Sequence, residues 1–124
     1  KSSMRSWFRQ DLGNFTVSNR NVINDSCEQA AYIIKNCMDV SDRVNLMAYW
    51  HALDTYSYYY DTDCVLNGDS GLITGDGICK PSFFAFWFLN RIQSNLLKKT
   101  AHAMVTGNGR NNYTIVCHKN HSTP

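Results

Sequence analysis

Residues 71–90 read GLITGDGICKPSFFAFWFLN and combine a turn, a helix start and an apolar helix in one unusual order. Asp76 and Gly77 can supply the positive φ angles of a tight turn, and Pro81 suits the first position of a helix, where its missing N–H costs nothing. The first turns of this predicted helix carry aromatic residues on every side. Because a helix that is apolar all round is normally buried on more than one side, it is expected to have several neighbours.

A helix and a strand are predicted upstream of this stretch. Asp25 or Ser26 can cap a helix that runs to about Met38, because apolar residues recur there at helical spacing. The run VNLMAYW at residues 44–50 is nearly continuous in apolar residues, which favours a strand covered on both faces in a parallel sheet. A helix followed by such a strand indicates α/β architecture.

The predicted elements downstream are the rest of the apolar helix and a hairpin. The helix is expected to cover residues 81–97, and residues 102–106 and 113–117 flank the sequence GNGR, whose Asn-Gly pair marks a hairpin tip. About 25 residues rich in Tyr, Asp, Thr and Gly separate Trp50 from the turn at Asp76. A connection that long and polar commonly lines a functional site.

Composition and charge narrow the class of protein. The 124 residues are 44% apolar, which is enough for one domain with a core, and the net charge of +2 leaves no basic stripe. We therefore expect no nucleic-acid partner through this segment. No run approaches the roughly 18 apolar residues of a membrane span, so no membrane partner is expected either.

The cysteines favour a reducing compartment. Five cysteines are an odd number without paired spacing, and they cannot all be closed by internal disulfides. A cytoplasmic location is the resulting expectation. Cys117, His118 and His121 fall short of the four ligands of a structural zinc site, so no metal or other cofactor is expected.

Four segments of the chain resemble glycoside hydrolase family 39, the family of β-xylosidases and α-L-iduronidases. Residues 71–90 are similar to the last barrel helix of that family with its lead-in. Three further segments follow the family's order: NDSC at residues 24–27, AAY at residues 30–32, and YW at residues 49–50 followed by Asp54. The resemblance covers about residues 14–118 and extends to the family-39-like modules attached to some AraC-type bacterial regulators.

The resemblance implies the seventh helix, eighth strand and eighth helix of a (β/α)8 barrel, followed by the first strands of a β-sandwich. The expected fold is thus α/β, an incomplete fragment of a (β/α)8 barrel followed by a β-hairpin. Residues 1–100 would form the barrel portion and residues 101–124 the start of the appended β-sandwich domain. Because closing such a barrel takes roughly 250 residues, the chain is expected to be a fragment, the product of a degraded gene, or a module that completes itself by oligomerising.

The resemblance also predicts that the catalytic carboxylates are missing. A retaining glycosidase needs two carboxylates about 5 Å apart, one as acid/base and one as nucleophile. The family's acid/base Glu follows the fourth barrel strand, upstream of everything matched here. Its nucleophile is the Glu of a Glu-Trp-Asn-like motif; Asn14 matches the Asn, so Leu12 and Gly13 stand where Glu and Trp belong. Asp11 is displaced by one residue, which reverses the face in a strand, and no catalytic residue is expected.

Trp50 and Asp54 are the predicted substrate-binding residues. In the family, the Trp at this position forms a wall of the sugar subsite, where an indole can stack on the apolar face of a pyranose while a nearby carboxylate accepts hydroxyls. Trp50 could equally be a core residue at the end of a buried strand. Ser57 and Tyr58 stand where the family has an acidic pair, and His51 is interpreted as an ordinary loop histidine.

Three functions are compatible with the sequence. The first is a fragment of a retaining, β-xylosidase-like glycoside hydrolase that is inactive alone and binds carbohydrate weakly, if at all. The second is a non-catalytic carbohydrate-sensing module of a transcriptional regulator. The third is a structural module that self-associates. A homo-oligomer is expected, because an unpaired strand ending at Trp50 and an apolar helix would leave a sheet edge and an apolar patch exposed.

Overall fold

The computed structural model describes residues 22–54 and 64–119. A short 3-10 turn, Val22–Asp25, leads into helix α1, Cys27–Val40. Ser26 caps α1: its Oγ accepts a hydrogen bond from the N–H of Glu28 at 3.2 Å and donates one to the carbonyl oxygen of Ile23 at 2.7 Å. The helix predicted between residue 25 or 26 and Met38 is therefore confirmed, and it continues slightly further.

Helix α2 spans Pro81–Leu89, with Pro81 at its first position, as predicted. Gly77 supplies the positive φ of the preceding turn, with φ at 87°. The predicted end at residue 97 is wrong, because residues 95–99 form a strand instead. Within a single copy of the chain α2 is only partly covered: Ala85 belongs to the core, whereas the aromatic side chains of Phe84, Trp87 and Phe88 are exposed.

Three antiparallel strands follow α2 in the spatial order β1-β2-β3: β1 is Asn95–Lys99, β2 is Ala103–Gly107 and β3 is Tyr113–Cys117. The predicted hairpin is confirmed, since Ala103 pairs with Cys117 and Gly107 with Tyr113. The additional strand β1 pairs with β2 through an irregularity between Leu96 and Lys98.

The core joins α1, α2 and one face of the sheet. It is formed by the buried side chains of Ile33, Ile34, Met38, Ala85, Met104 and Val116. The opposite face of the sheet carries Tyr113 and Ile115, both exposed. None of the helices in the described part of the chain is long and apolar enough to cross a membrane.

Residues 44–50 do not form the predicted strand. The nearby pairing is limited to isolated bridges, in which Ile73 meets Leu53 in parallel and Cys79 in antiparallel orientation. A buried parallel strand needs a neighbour on each side, and no strand among residues 22–54 and 64–119 pairs with this run. The described chain is therefore two α-helices and a three-stranded antiparallel sheet, in place of the parallel barrel strand that was expected.

Candidate functional site

The two predicted sugar-binding residues lie in opposite environments. Trp50 is 67% exposed, so it is not part of the core that the described residues form. Asp54 is buried, with only 6% of its surface exposed. The peptide bond that follows Trp50 is cis and leads into His51. Trp50 thus offers an accessible indole, while Asp54 faces the interior of the protein.

Asp54 forms an ion pair with Lys80, a residue that was not predicted to belong to a site. The Nζ atom of Lys80 lies 2.6 Å from Oδ2 of Asp54 and 2.6 Å from Oδ1 of Asp25. It also donates a hydrogen bond to the carbonyl oxygen of Asp69 at 2.9 Å. The side chain of Lys80 is fully buried. We refer to Lys80, Asp25 and Asp54 as the buried ion cluster.

The buried ion cluster connects three segments that are distant in the sequence. Asp25 immediately precedes the capping residue of α1, Asp54 follows the Trp50 segment, and Lys80 immediately precedes α2. The backbone N–H of Asp54 donates to the carbonyl oxygen of Ile73 at 2.7 Å, which fixes the same segment from its other side. The position of Trp50 is therefore tied to both helices.

The electrostatics of Asp54 reflect its burial. Desolvation raises the pKa of this carboxyl, the Lys80 ammonium opposes the shift, and the negative charge of Asp69 adds to it. Burial likewise raises the pKa of Tyr49, whose hydroxyl has Gln29 and Ser82 as neighbours. The carboxylate of Asp54 faces the buried ammonium of Lys80. The role of Asp54 in the structure is therefore to hold the segment that carries Trp50.

His51 has a partner that the sequence did not reveal. Its Nε2 lies 3.6 Å from Oδ1 of Asp69, and its ring meets the ring of Trp50 edge-on with centroids 5.7 Å apart. Oδ1 of Asp69 also accepts a hydrogen bond from the N–H of Ser70 at 2.7 Å. His51 was interpreted as an ordinary loop histidine for which the sequence named no partner, and the structure places Asp69 beside it.

Several predicted positions lie outside the described residues. These are the segment of the missing nucleophile and the positions of the family's acidic pair: Asp11, Leu12, Gly13, Asn14, Ser57 and Tyr58. Within residues 22–54 and 64–119, no group of three His, Cys, Asp or Glu side chains is placed to hold a metal ion. None of the described cysteines forms a disulfide, and burial raises the pKa of Cys37 to about 11, which makes it a poor nucleophile.

Comparisons with known proteins give one consistent result, although no family model matches the chain. The chain is 30% identical over 93 residues to a β-xylosidase of Geobacillus stearothermophilus, a match that covers 75% of this chain and 18% of that protein. Among solved structures, a monomeric β-xylosidase from Caulobacter crescentus CB15 is 29% identical with a TM-score of 0.66, covering 76% of this chain and 19% of that one. The GH39 enzyme from Xanthomonas axonopodis pv. citri is 26% identical with a TM-score of 0.65 and the same two coverages of 76% and 19%.

The matches have the same extent in all three relatives. The chain spans about a fifth of the length of each relative, between 18% and 19%. The matches nevertheless cover about three quarters of this chain, and the similarity is found in both sequence and structure. The predicted resemblance to glycoside hydrolase family 39 is thereby confirmed: over that part of its length, the chain is similar to β-xylosidases of this family.

Proposed function

We propose that this chain is part of a retaining, β-xylosidase-like glycoside hydrolase, and that the 124-residue chain alone does not hydrolyse glycosides. The observation that carries the proposal is the 67% exposure of Trp50 on a segment held by the buried ion cluster. An indole that stacks on a sugar must be open to solvent, and its support must be fixed before the ligand arrives. The similarity to β-xylosidases supports the assignment of the sugar class.

The roles of the two substrate-binding residues differ in this proposal. Trp50 stacks on the apolar face of a pyranose, as exposed aromatic rings do when they offer a large and rigid contact surface. Asp54 contributes indirectly, because its pairing with Lys80 holds the segment on which Trp50 lies. A single stacking surface buries only one face of the sugar, and we expect weak binding.

The pairing of the strands supports a proposal for the domain organisation. We place residues before the sheet in the C-terminal portion of a (β/α)8 barrel and the sheet itself at the start of an appended β-sandwich domain. Our sequence-based boundary is at residue 100, and we propose moving it ahead of Asn95, because β1 pairs with β2 in the same sheet. The similarity to barrel enzymes supports this division.

A hydrolysis assay tests the catalytic part of the proposal. Aryl β-xylosides incubated with the chain should release aryl alcohol no faster than buffer, because no pair of carboxylates in the matched motifs is available for the two steps of the reaction. Turnover above buffer would contradict the proposal.

A binding titration tests the sugar platform. Adding xylobiose to the 15N-labelled chain should perturb the indole N–H signal of Trp50 and the backbone amide signals of neighbouring residues, and Trp50→Ala should abolish the amide response. Trp87→Ala is the matched control, because Trp87 is a second exposed tryptophan that lies on α2. Unchanged binding by Trp50→Ala would show that the platform is elsewhere.

We also propose self-association with a second copy of the chain as a structural function. The observation that favours it is the apolar outer face of the sheet, where the paired positions Val105 and Ile115 lie beside Tyr113. Ile115 and Tyr113 are both exposed, and contiguous apolar patches of this kind mark interaction surfaces.

A further inference from the structure

We infer that His51, oriented by Asp69, supplies the polar contact of the Trp50 platform by hydrogen bonding to a hydroxyl of the sugar that stacks on the indole. The inference rests on the proposed carbohydrate binding and adds a specificity-determining residue to it. A stacking surface alone recognises any apolar ring face. A hydrogen-bonding group at its edge distinguishes a sugar that has a hydroxyl at that position from one that lacks it.

The placement of the two rings suits a shared ligand. Trp50 and His51 are adjacent, with ring centroids 5.7 Å apart and ring planes inclined by 61°. The indole is largely exposed, and the side chain of His51 is 20% exposed. A pyranose stacked on the indole through its C–H groups directs its hydroxyls outward around its edge, which is where the imidazole lies.

The two nitrogens of the imidazole have different surroundings. Nε2 lies 3.6 Å from Oδ1 of Asp69, and Nδ1 is the ring nitrogen that remains for a ligand. A carboxylate near one ring nitrogen favours a proton there. Nδ1 then accepts a hydrogen bond, which a sugar hydroxyl can donate.

Asp69 is itself held in place, so the pair is organised before a ligand binds. The N–H of Asp69 donates to Oδ1 of Asn67 at 3.0 Å, and the N–H of Ser70 donates to its Oδ1 at 2.7 Å. Its carbonyl oxygen accepts the hydrogen bond from Lys80 at 2.9 Å. Lys80 therefore connects the Asp54 side of the platform with the Asp69 side. This arrangement reduces the ordering cost of binding.

The test is a xylobiose titration of the full chain, labelled with 15N, with three variants. His51→Ala should weaken binding about tenfold, the change that corresponds to the loss of one hydrogen bond of about 1.4 kcal/mol. His51→Gln, which keeps a hydrogen-bonding amide, should recover part of the affinity. The imidazole 15N signals of His51 in the wild-type chain should move during the titration. His102→Ala is the matched control and should bind normally, because His102 is an exposed histidine on the β1–β2 connection.

The outcomes separate this inference from the function on which it rests. Equal affinity of His51→Ala and wild type, together with loss of binding in Trp50→Ala, would overturn the role of His51 and leave the platform intact. Loss of binding in both His51 variants without movement of the imidazole signals would assign His51 a purely structural part, which also overturns the inference. Failure of the wild-type chain to bind xylobiose would overturn the platform itself, and the inference with it.

Discussion

Lys80 is a cation at the amino end of α2, where the partial positive charge of the helix disfavours an ammonium group. Its side chain is nevertheless fully buried. Asp25 and Asp54 compensate for the charge, each through an oxygen 2.6 Å from Nζ. Removing one member of a buried ionic group leaves the others desolvated and unpaired, so the cluster is far more sensitive to deletion than an exposed ion pair.

Lys80→Met should lower the free energy of unfolding by about 3–5 kcal/mol at pH 7, because two carboxylates then remain buried without a cation. The loss should be smaller near pH 4.5. Without the ammonium, the pKa of Asp54, already raised by burial, rises further, and the folded state binds protons more readily than the unfolded state. Urea unfolding at the two pH values measures both effects.

Lys35→Met is the matched control for that experiment. Lys35 also lies 2.6 Å from a carboxylate, that of Asp39, but both side chains are exposed. Such a pair contributes about 0.3–0.5 kcal/mol. Similar losses for the two variants, or a larger loss for Lys80→Met at pH 4.5 than at pH 7, would contradict the account of the buried ion cluster.

His118 should make the stability depend on pH in the acidic range. Burial, together with the neighbouring His102 and Lys35, lowers the pKa of His118 below the usual 6.5, and the backbone of Ala101 and the charge of Asp39 partly oppose this shift. As the pH falls, the unfolded chain therefore takes up a proton at this histidine before the folded protein does. The stability that depends on neutral His118 is complete above pH 6.5 and is lost as the pH falls below that value. Urea unfolding at pH 7.5 and pH 5.5 should show a smaller pH effect in His118→Leu than in the wild type. An identical pH effect would contradict the prediction.

Among the helices and strands, the features that depend on interactions between residues close in sequence could be predicted. The Ser26 cap and the hairpin tip are decided within a few residues, and both were predicted correctly. Residues 95–97 were assigned to the end of a helix, but pairing with β2 places them in a strand. The run at residues 44–50 is apolar enough for a strand, yet a strand also needs a partner, which apolar patterning does not supply.

The site was predictable to a similar extent. Trp50 and Asp54 were proposed because they lie in one short motif, whereas Lys80, the partner of Asp54, and Asp69, the partner of His51, come from other parts of the chain. One signal was available: a lysine directly before an apolar helix is in an unfavourable position and indicates a carboxylate partner. Which carboxylate that is depends on tertiary contacts.

The turn before α2 depends on two glycines for different physical reasons. A Cβ on Gly77 would meet no atom, but its φ of 87° is unfavourable for other residues, so Gly77→Ala should cost about 1–2 kcal/mol. A Cβ on Gly71 would collide with the backbone of Leu53 and Asp54. Gly71→Ala should therefore cost more and should also weaken xylobiose binding, because the Trp50 segment must move.

Urea unfolding and the xylobiose titration together distinguish these two glycines. Gly77→Asn should be less destabilising than Gly77→Ala, because asparagine tolerates positive φ better than alanine. Gly77→Ala should bind xylobiose normally. Weakened binding in both alanine variants would show that the turn as a whole, and not the contact between Gly71 and Asp54, positions the platform.

For the whole molecule, the distribution of exposed apolar surface bears on whether copies of the chain associate. The aromatic residues Phe84, Trp87 and Phe88 of α2 are exposed, and so is the outer face of the sheet. Leu97 extends that face, since a Cβ on Gly107 would lie 3.0 Å from its Cδ1. Each Å² of apolar surface removed from water contributes about 25 cal/mol, so pairing two such faces is favourable.

We therefore expect the chain to form a homodimer or a larger homo-oligomer at micromolar concentration. Ile115→Lys should shift it toward monomer, because a charge would then lie in the centre of the buried face. Leu66→Lys is the matched control, since Leu66 is similarly exposed but lies outside the sheet. Sedimentation velocity over a range of concentrations measures the distribution of species. A monodisperse monomer that binds no hydrophobic dye would contradict the prediction, because it would show that the apolar faces are already covered within one copy of the chain.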